Sequence, residues 1–182
     1  MSLLDTDLPD EPAEAGAAAR PDTYSALLGR LNRLSVTRRF EAYVDIDWDD
    51  PSLAIDPGDP RWALAGDDGL GATAWYRALP AEEQARIGLH DVVVKMKLGL
   101  QFESILKRGL LEFASRLPNQ SEEFRYAYHE LIEEAQHALM FQEFINRSGF
   151  DPRGMRPVEM AGNRFIVGLG TWFPPLFFVF VL

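Results

Sequence analysis

The chain has no cysteine. That absence removes disulfide frameworks, thiolate-bound zinc, iron–sulfur clusters and thiol nucleophiles in one step. Positive charge is also scarce: 18 Lys and Arg face 28 Asp and Glu, for a formal net charge of −10. Phosphate recognition needs clustered Lys and Arg, so this balance argues against a nucleic-acid partner. Histidine is limited to 3 residues, leaving little imidazole for a histidine-rich zinc site. The N-terminus lacks the basic start and apolar run of a secretory signal peptide, and with the missing cysteines this fits a cytoplasmic protein. Strand-like alternation and internal repeats are missing too, so what remains is a helical pattern. The 182 residues are enough for one domain with a substantial core.

Residues 1–22 hold six acidic side chains against Arg20 alone and are rich in Ala and Pro, a composition expected of a disordered tail. From Tyr24 to Leu34 the spacing of Leu27, Leu31 and Leu34 predicts a short amphipathic helix, capped by Asp22 or Thr23. Residues 41–72 are punctuated by Pro and Gly and should be irregular. Within them Asp45-Ile46-Asp47-Trp48-Asp49 imitates a calcium loop. However, Asp50 stands where the sharp-turn Gly belongs, and Pro57 directly follows position twelve. A solvated acidic loop is the better reading, with Trp48, Trp62, Trp75 and Tyr76 fastening it to a helical body. Pro80 opens a helical region, with a turn expected near Gly88 before a long helix over 90–117. Ser121 caps a second long helix over 122–147, which stops at Ser148-Gly149, and the short connection predicts an antiparallel pair. Residues 150–163 read as a Pro/Gly loop, and 165–182 are almost wholly apolar.

Both long helices place acid where apolar residues should be. Val92, Met96, Leu100, Leu106 and Leu110 fall within about 60° of Glu103 on a helical wheel. A carboxylate there must be protonated, paired or metal-bound, and Gly99 one turn earlier leaves space beside it. On the next helix Glu134-Ala135-Gln136-His137 projects a Glu and a His from one face. Glu130 and Glu133 lie beside them. A helical Glu plus one Glu-x-x-His is half of the dinuclear carboxylate site found inside four-helix bundles. Plainer readings exist. Glu103–Lys107 and His129–Glu133 are ordinary i,i+4 pairs, Glu-x-x-His recurs by chance, and His90 reads as structural. If metal binds, oxygen donors with few imidazoles favour iron or manganese over zinc.

Several strings resemble the p-aminobenzoate N-oxygenase (AurF-like) diiron family. They are Asp45-Ile46-Asp47-Trp48, Asp59-Pro60-Arg61-Trp62, Gly99 to Glu103, Glu123 to Tyr126, His129 to His137 and Met140 to Gly149. The resemblance runs from about residue 24 to the end of the chain. It implies an all-α, ferritin-like helical bundle that uses two irons and O2 to oxidise a small arylamine, with electrons from an external donor. By position, Glu103, Glu134 and His137 resemble iron ligands, and Glu130 and Glu133 resemble acidic positions beside the motif that would orient the ligands without binding iron. Family members continue well past this length with further Glu and His ligands. The expectation is therefore that 23–182 is an N-terminal portion of the oxygenase domain, its later helices missing.

Taken alone, such a portion is expected to be inactive. Two copies about a two-fold axis would supply two Glu and two Glu-x-x-His units, so a homodimeric half-site is one alternative. A non-catalytic remnant is another. A membrane-associated helix over 165–182 is a third, weakened by Pro174-Pro175 at its middle.

Overall fold

A computed structural model describes residues 23–173. The acidic segment 1–22 and the apolar string from Pro174 onward lie outside the described residues. The described residues form helices α1 (Tyr24–Thr37), α2 (Ala74–Arg77), α3 (Ala81–Ser115), α4 (Glu122–Ser148) and α5 (Pro157–Trp172), and no strand. Two short 3-10 turns, Pro51–Leu53 and Pro60–Trp62, interrupt the irregular segment between α1 and α2.

The α3–α4 pair is the frame of the molecule, and α1 packs on α4 while α5 and the Pro60–Trp62 turn pack on α3. Ser121 caps α4 by accepting from the Phe124 amide, and Gly149 ends it in the left-handed region at φ 74°. Thr23 caps α1 in the same way, accepting from Ala26. Leu89 and Val93 of α3 bury themselves against Ile145 of α4, and Trp62, Met96, Phe144 and Phe150 close around them.

The structure corrects the sequence reading in three places. No turn separates a helix at Pro80 from a longer one at residue 90; α3 runs unbroken for 35 residues. Gly88 is there for close approach, since a Cβ on it would lie 1.8 Å from the Trp62 carbonyl oxygen. The expected loop over 150–163 ends early, because Pro157 takes the first helical position of α5. There the Arg156 amide donates to the Glu159 carboxylate at 2.7 Å. Trp75 does not fasten the irregular segment, being 60% exposed.

The other aromatics do fasten it. Trp48 donates from Nε1 to the Ala42 carbonyl, and Trp62 meets Phe144 edge-on with centroids 6.1 Å apart. Tyr76 is fully buried. Its hydroxyl accepts from the Leu64 amide at 2.8 Å and donates to the Gln84 carbonyl at 2.9 Å, tying the segment to the start of α3. Tyr76→Phe strands the Leu64 amide and removes the extra donor to the Gln84 carbonyl, and an unfolding titration should show a loss of about 1–3 kcal/mol. No helix among the described residues is long and apolar enough to cross a membrane.

Candidate metal centre

Glu103 sits midway along α3, and Glu134 and His137 sit midway along α4, so the antiparallel packing brings them to one level. One donor atom from each lies within 4.8 Å of the other two. His137 Nδ1 stands 3.0 Å from Glu134 Oε2 and 3.7 Å from Glu103 Oε1. The burial is graded. The Glu103 carboxylate is 11% exposed and Glu134 16%, whereas the His137 ring is 46% exposed. Glu103 Oε2 is buried with no hydrogen-bond partner, an expensive state for a carboxyl oxygen.

Burial is the main reason the Glu103 carboxyl is pushed up to about 7, helped by the hydrogen bond and charge of Glu134 and opposed by Lys107 and His137. Burial also pushes Glu134 upward, but hydrogen bonds with the Glu103 carboxyl and His137 prevail and leave it below its ordinary value. The pair therefore holds one proton between two carboxyls, mostly on Glu103. Lys107 is depressed by burial, against the pull of both carboxylates. Its ammonium donates to the Glu134 backbone carbonyl at 2.9 Å, a strut from α3 to α4 beside the candidate donor set.

These shifts have a sign that calorimetry can check. Between the ordinary carboxyl range and about pH 7, folded Glu103 keeps a proton that the unfolded chain has released. Metal-free stability must then fall as pH rises through that window. Glu103→Gln is neutral throughout. In chelator its melting temperature should exceed that of the native chain at pH 8 by about 2–4 °C, for a difference on the order of 1 kcal/mol, and the gap should close near pH 4.

The remaining candidates fall around this set. Glu130 hydrogen-bonds the Tyr126 hydroxyl, whose pKa is raised first by burial and then by that carboxylate. Glu133 lines a cavity of about 370 Å3 together with His137, Gln136, Met140, Arg38 and Phe40. His129 does not pair with Glu133 as an i,i+4 reading suggests; its Nε2 accepts from Arg125 at 3.4 Å. His90 packs edge-on against Phe150. The space at Gly99 serves Phe141, whose ring would meet a Cβ there at 3.0 Å, and Phe141 in turn stacks beside His137. The calcium-like acids are engaged elsewhere: Asp45 accepts from the Glu41 amide, Asp47 from the Asp49 amide, and Asp49 pairs with Arg147. Glu103, Glu134 and His137 form the group of potential metal donors found among the described residues.

Sequence reasoning missed Arg38 and Phe40. They belong to the residues leading from α1 into the irregular segment, where periodicity carries no signal. The anchor that brings them to His137 is Gln136, whose side-chain oxygen accepts from the Ala42 amide at 2.8 Å.

A Glu on one helix facing a Glu-x-x-His on its antiparallel neighbour is the half-site of helical carboxylate metal proteins. The sequence profile of P-aminobenzoate N-oxygenase AurF matches residues 21–182, and the chain belongs to that family, which is a family of diiron oxygenases with a ferritin-like bundle. Two uncharacterized mycobacterial proteins, from Mycobacterium bovis and Mycobacterium tuberculosis, are each 46% identical to it over 132 residues. The match covers 72% of this chain but 39% of each relative. No solved structure matches the chain.

Proposed function

We propose that this chain forms one wall of a non-haem diiron oxygenase centre, with Glu103, Glu134 and His137 as iron ligands, and that the complete centre oxidises a small arylamine with O2. The observation behind this reading is the convergence of three donors around a buried, unpartnered Glu103 oxygen. Oxygen donors with one imidazole suit iron, with manganese as the competitor. Bound iron would supply the redox chemistry for using O2, with electrons from an external donor.

The protein's own contribution is placement. Glu103 reaches the centre from α3 and Glu134 from α4, while the Lys107 strut holds the two helices in register. Phe141 stacks on the His137 ring and limits its orientation. His137 Nδ1 faces both carboxylates and is the nitrogen placed to bind. The cavity bordered by His137, Met140 and Phe40 lies on the open side of the set and is the place for a small substrate.

The exposed His137 ring and the set of three donors among the described residues support a second reading, in which two copies of the chain share the centre. Anaerobic ferrous titration followed by sedimentation tests both. About two irons per dimer supports the shared centre, and about one iron per monomer supports a single wall completed by further chain. No iron binding at pH 8 would overturn the proposal in either form.

A further inference from the structure

The irregular segment folds over the C-terminal half of α4 and, with it, lines a half-open cavity of about 380 Å3 that the metal-donor residues do not line. Its walls include Trp48, Trp62, Phe144, Ile46 and Ile55. Phe144 lies seven residues beyond His137 on the same helix, two turns or about 10 Å away. The cavity is therefore a separate place from the donor set.

The chemistry of the lining narrows what it can take. Both indole N–H groups are already engaged, Trp48 with the Ala42 carbonyl and Trp62 with the Asp56 carbonyl. The tryptophans thus present ring carbon to a guest, although the Arg147 guanidinium already lies over the Trp48 ring, 5.7 Å from its centroid. The cations at the edge are engaged as well. Arg61 is paired with Asp59 through Nε at 2.8 Å. Arg147 donates to Glu143 at 2.6 Å, to Asp49 at 2.9 Å and to the Trp48 carbonyl. The two guanidinium groups and three carboxylates pair with one another at the edge, so a charged guest of either sign finds no unpaired partner there, and the mostly apolar lining penalises its charge. The volume falls in the range of small-molecule pockets, roughly 300–1,000 Å3. A cavity of about 150 Å3 already holds benzene.

We propose that this cavity is a binding site for an uncharged molecule of one or two aromatic rings, held by edge and face contacts with Trp48, Trp62 and Phe144. The assignment does not depend on iron at the donor set.

The test uses the full chain in chelator, with 15N-labelled tryptophan and three ligands of one shape: benzyl alcohol, benzoate and benzylamine. Benzyl alcohol should shift the indole N–H resonances of Trp48 and Trp62 saturably. Trp75 and Trp172, which are 60% and 86% exposed and do not line the cavity, should stay fixed. Benzoate and benzylamine should bind at least about tenfold more weakly, the cost of bringing an unpaired charge onto apolar walls. Ala54→Phe places a ring on the exposed rim of the cavity and should weaken benzyl alcohol by a similar factor. The proposal is overturned if the Trp48 and Trp62 signals do not saturate, if all four tryptophans move together, if either charged ligand binds as well as the neutral one, or if Ala54→Phe binds as tightly as the native chain.

Discussion

Glu134→Ala and His137→Ala are each expected to lower ferrous-ion affinity by about two orders of magnitude or more, measured by anaerobic titration at pH 8. Changing partners that only orient metal ligands typically costs about 10–100-fold, and under the proposed function these substitutions delete donors themselves. The two should differ in pH response. In the native chain a metal must displace the proton held on Glu103, so affinity should climb as pH rises toward and just past 7. His137→Ala keeps both carboxyls and should retain that slope. Glu134→Ala removes the carboxylate that helps hold the proton on Glu103, so its slope should shift to lower pH. Glu130→Gln and Glu133→Gln serve as controls. Neither residue belongs to the converging set, and a loss of about tenfold or less is expected from them. Equal losses at all four positions would mean that iron answers only to the general acidity of α4 and not to this geometry.

Much of that geometry was legible in the sequence because helical period and metal chemistry are both local rules. Glu103 in an apolar stripe and the i,i+3 spacing of Glu134 and His137 need only the wheel. The Ser121 cap and Gly149 end need only their neighbours. The helical architecture followed from the same periodicity, and the ferritin-like bundle from the family resemblance. What was not legible depended on distant chain. Nothing near Gln136 says that it will hold the Ala42 amide, or that Arg38 and Phe40 will then stand beside His137. Gly99 was read as room for Glu103, yet the occupant is Phe141 from the other helix. The Lys107 ammonium, one turn from Glu103, was weighed as its partner and donates instead to the Glu134 carbonyl. In each case the partner is fixed by how α3, α4 and the irregular segment pack, and one-dimensional spacing carries no such information.

Gly88 is the sharpest of these cases and sets the second large effect. Read locally, a glycine between Ile87 and Leu89 signals a turn. In the fold it lies inside α3 and is fully covered, because the Pro60–Trp62 turn packs its backbone directly on the helix. A Cβ there would lie 1.8 Å from the Trp62 carbonyl oxygen and 2.8 Å from its carbon, and both are main-chain atoms that no rotamer can move. Gly88→Ala must therefore push the turn off α3. That displaces Trp62 from Phe144 and from the Leu89–Val93–Ile145 cluster it helps to close. The expected cost is about 3 kcal/mol or more, the upper end for overpacking, seen as a fall in denaturation midpoint. Gly162 is the comparison that isolates the cause. It too is helical, in α5, but nothing lies within 4 Å of a Cβ built on it. There the same change only restricts the unfolded chain and should stabilise by about 0.5–1 kcal/mol. If both substitutions stabilise alike, the turn does not rest on α3 in solution, and the wall that it forms over the C-terminal half of α4 must be placed elsewhere.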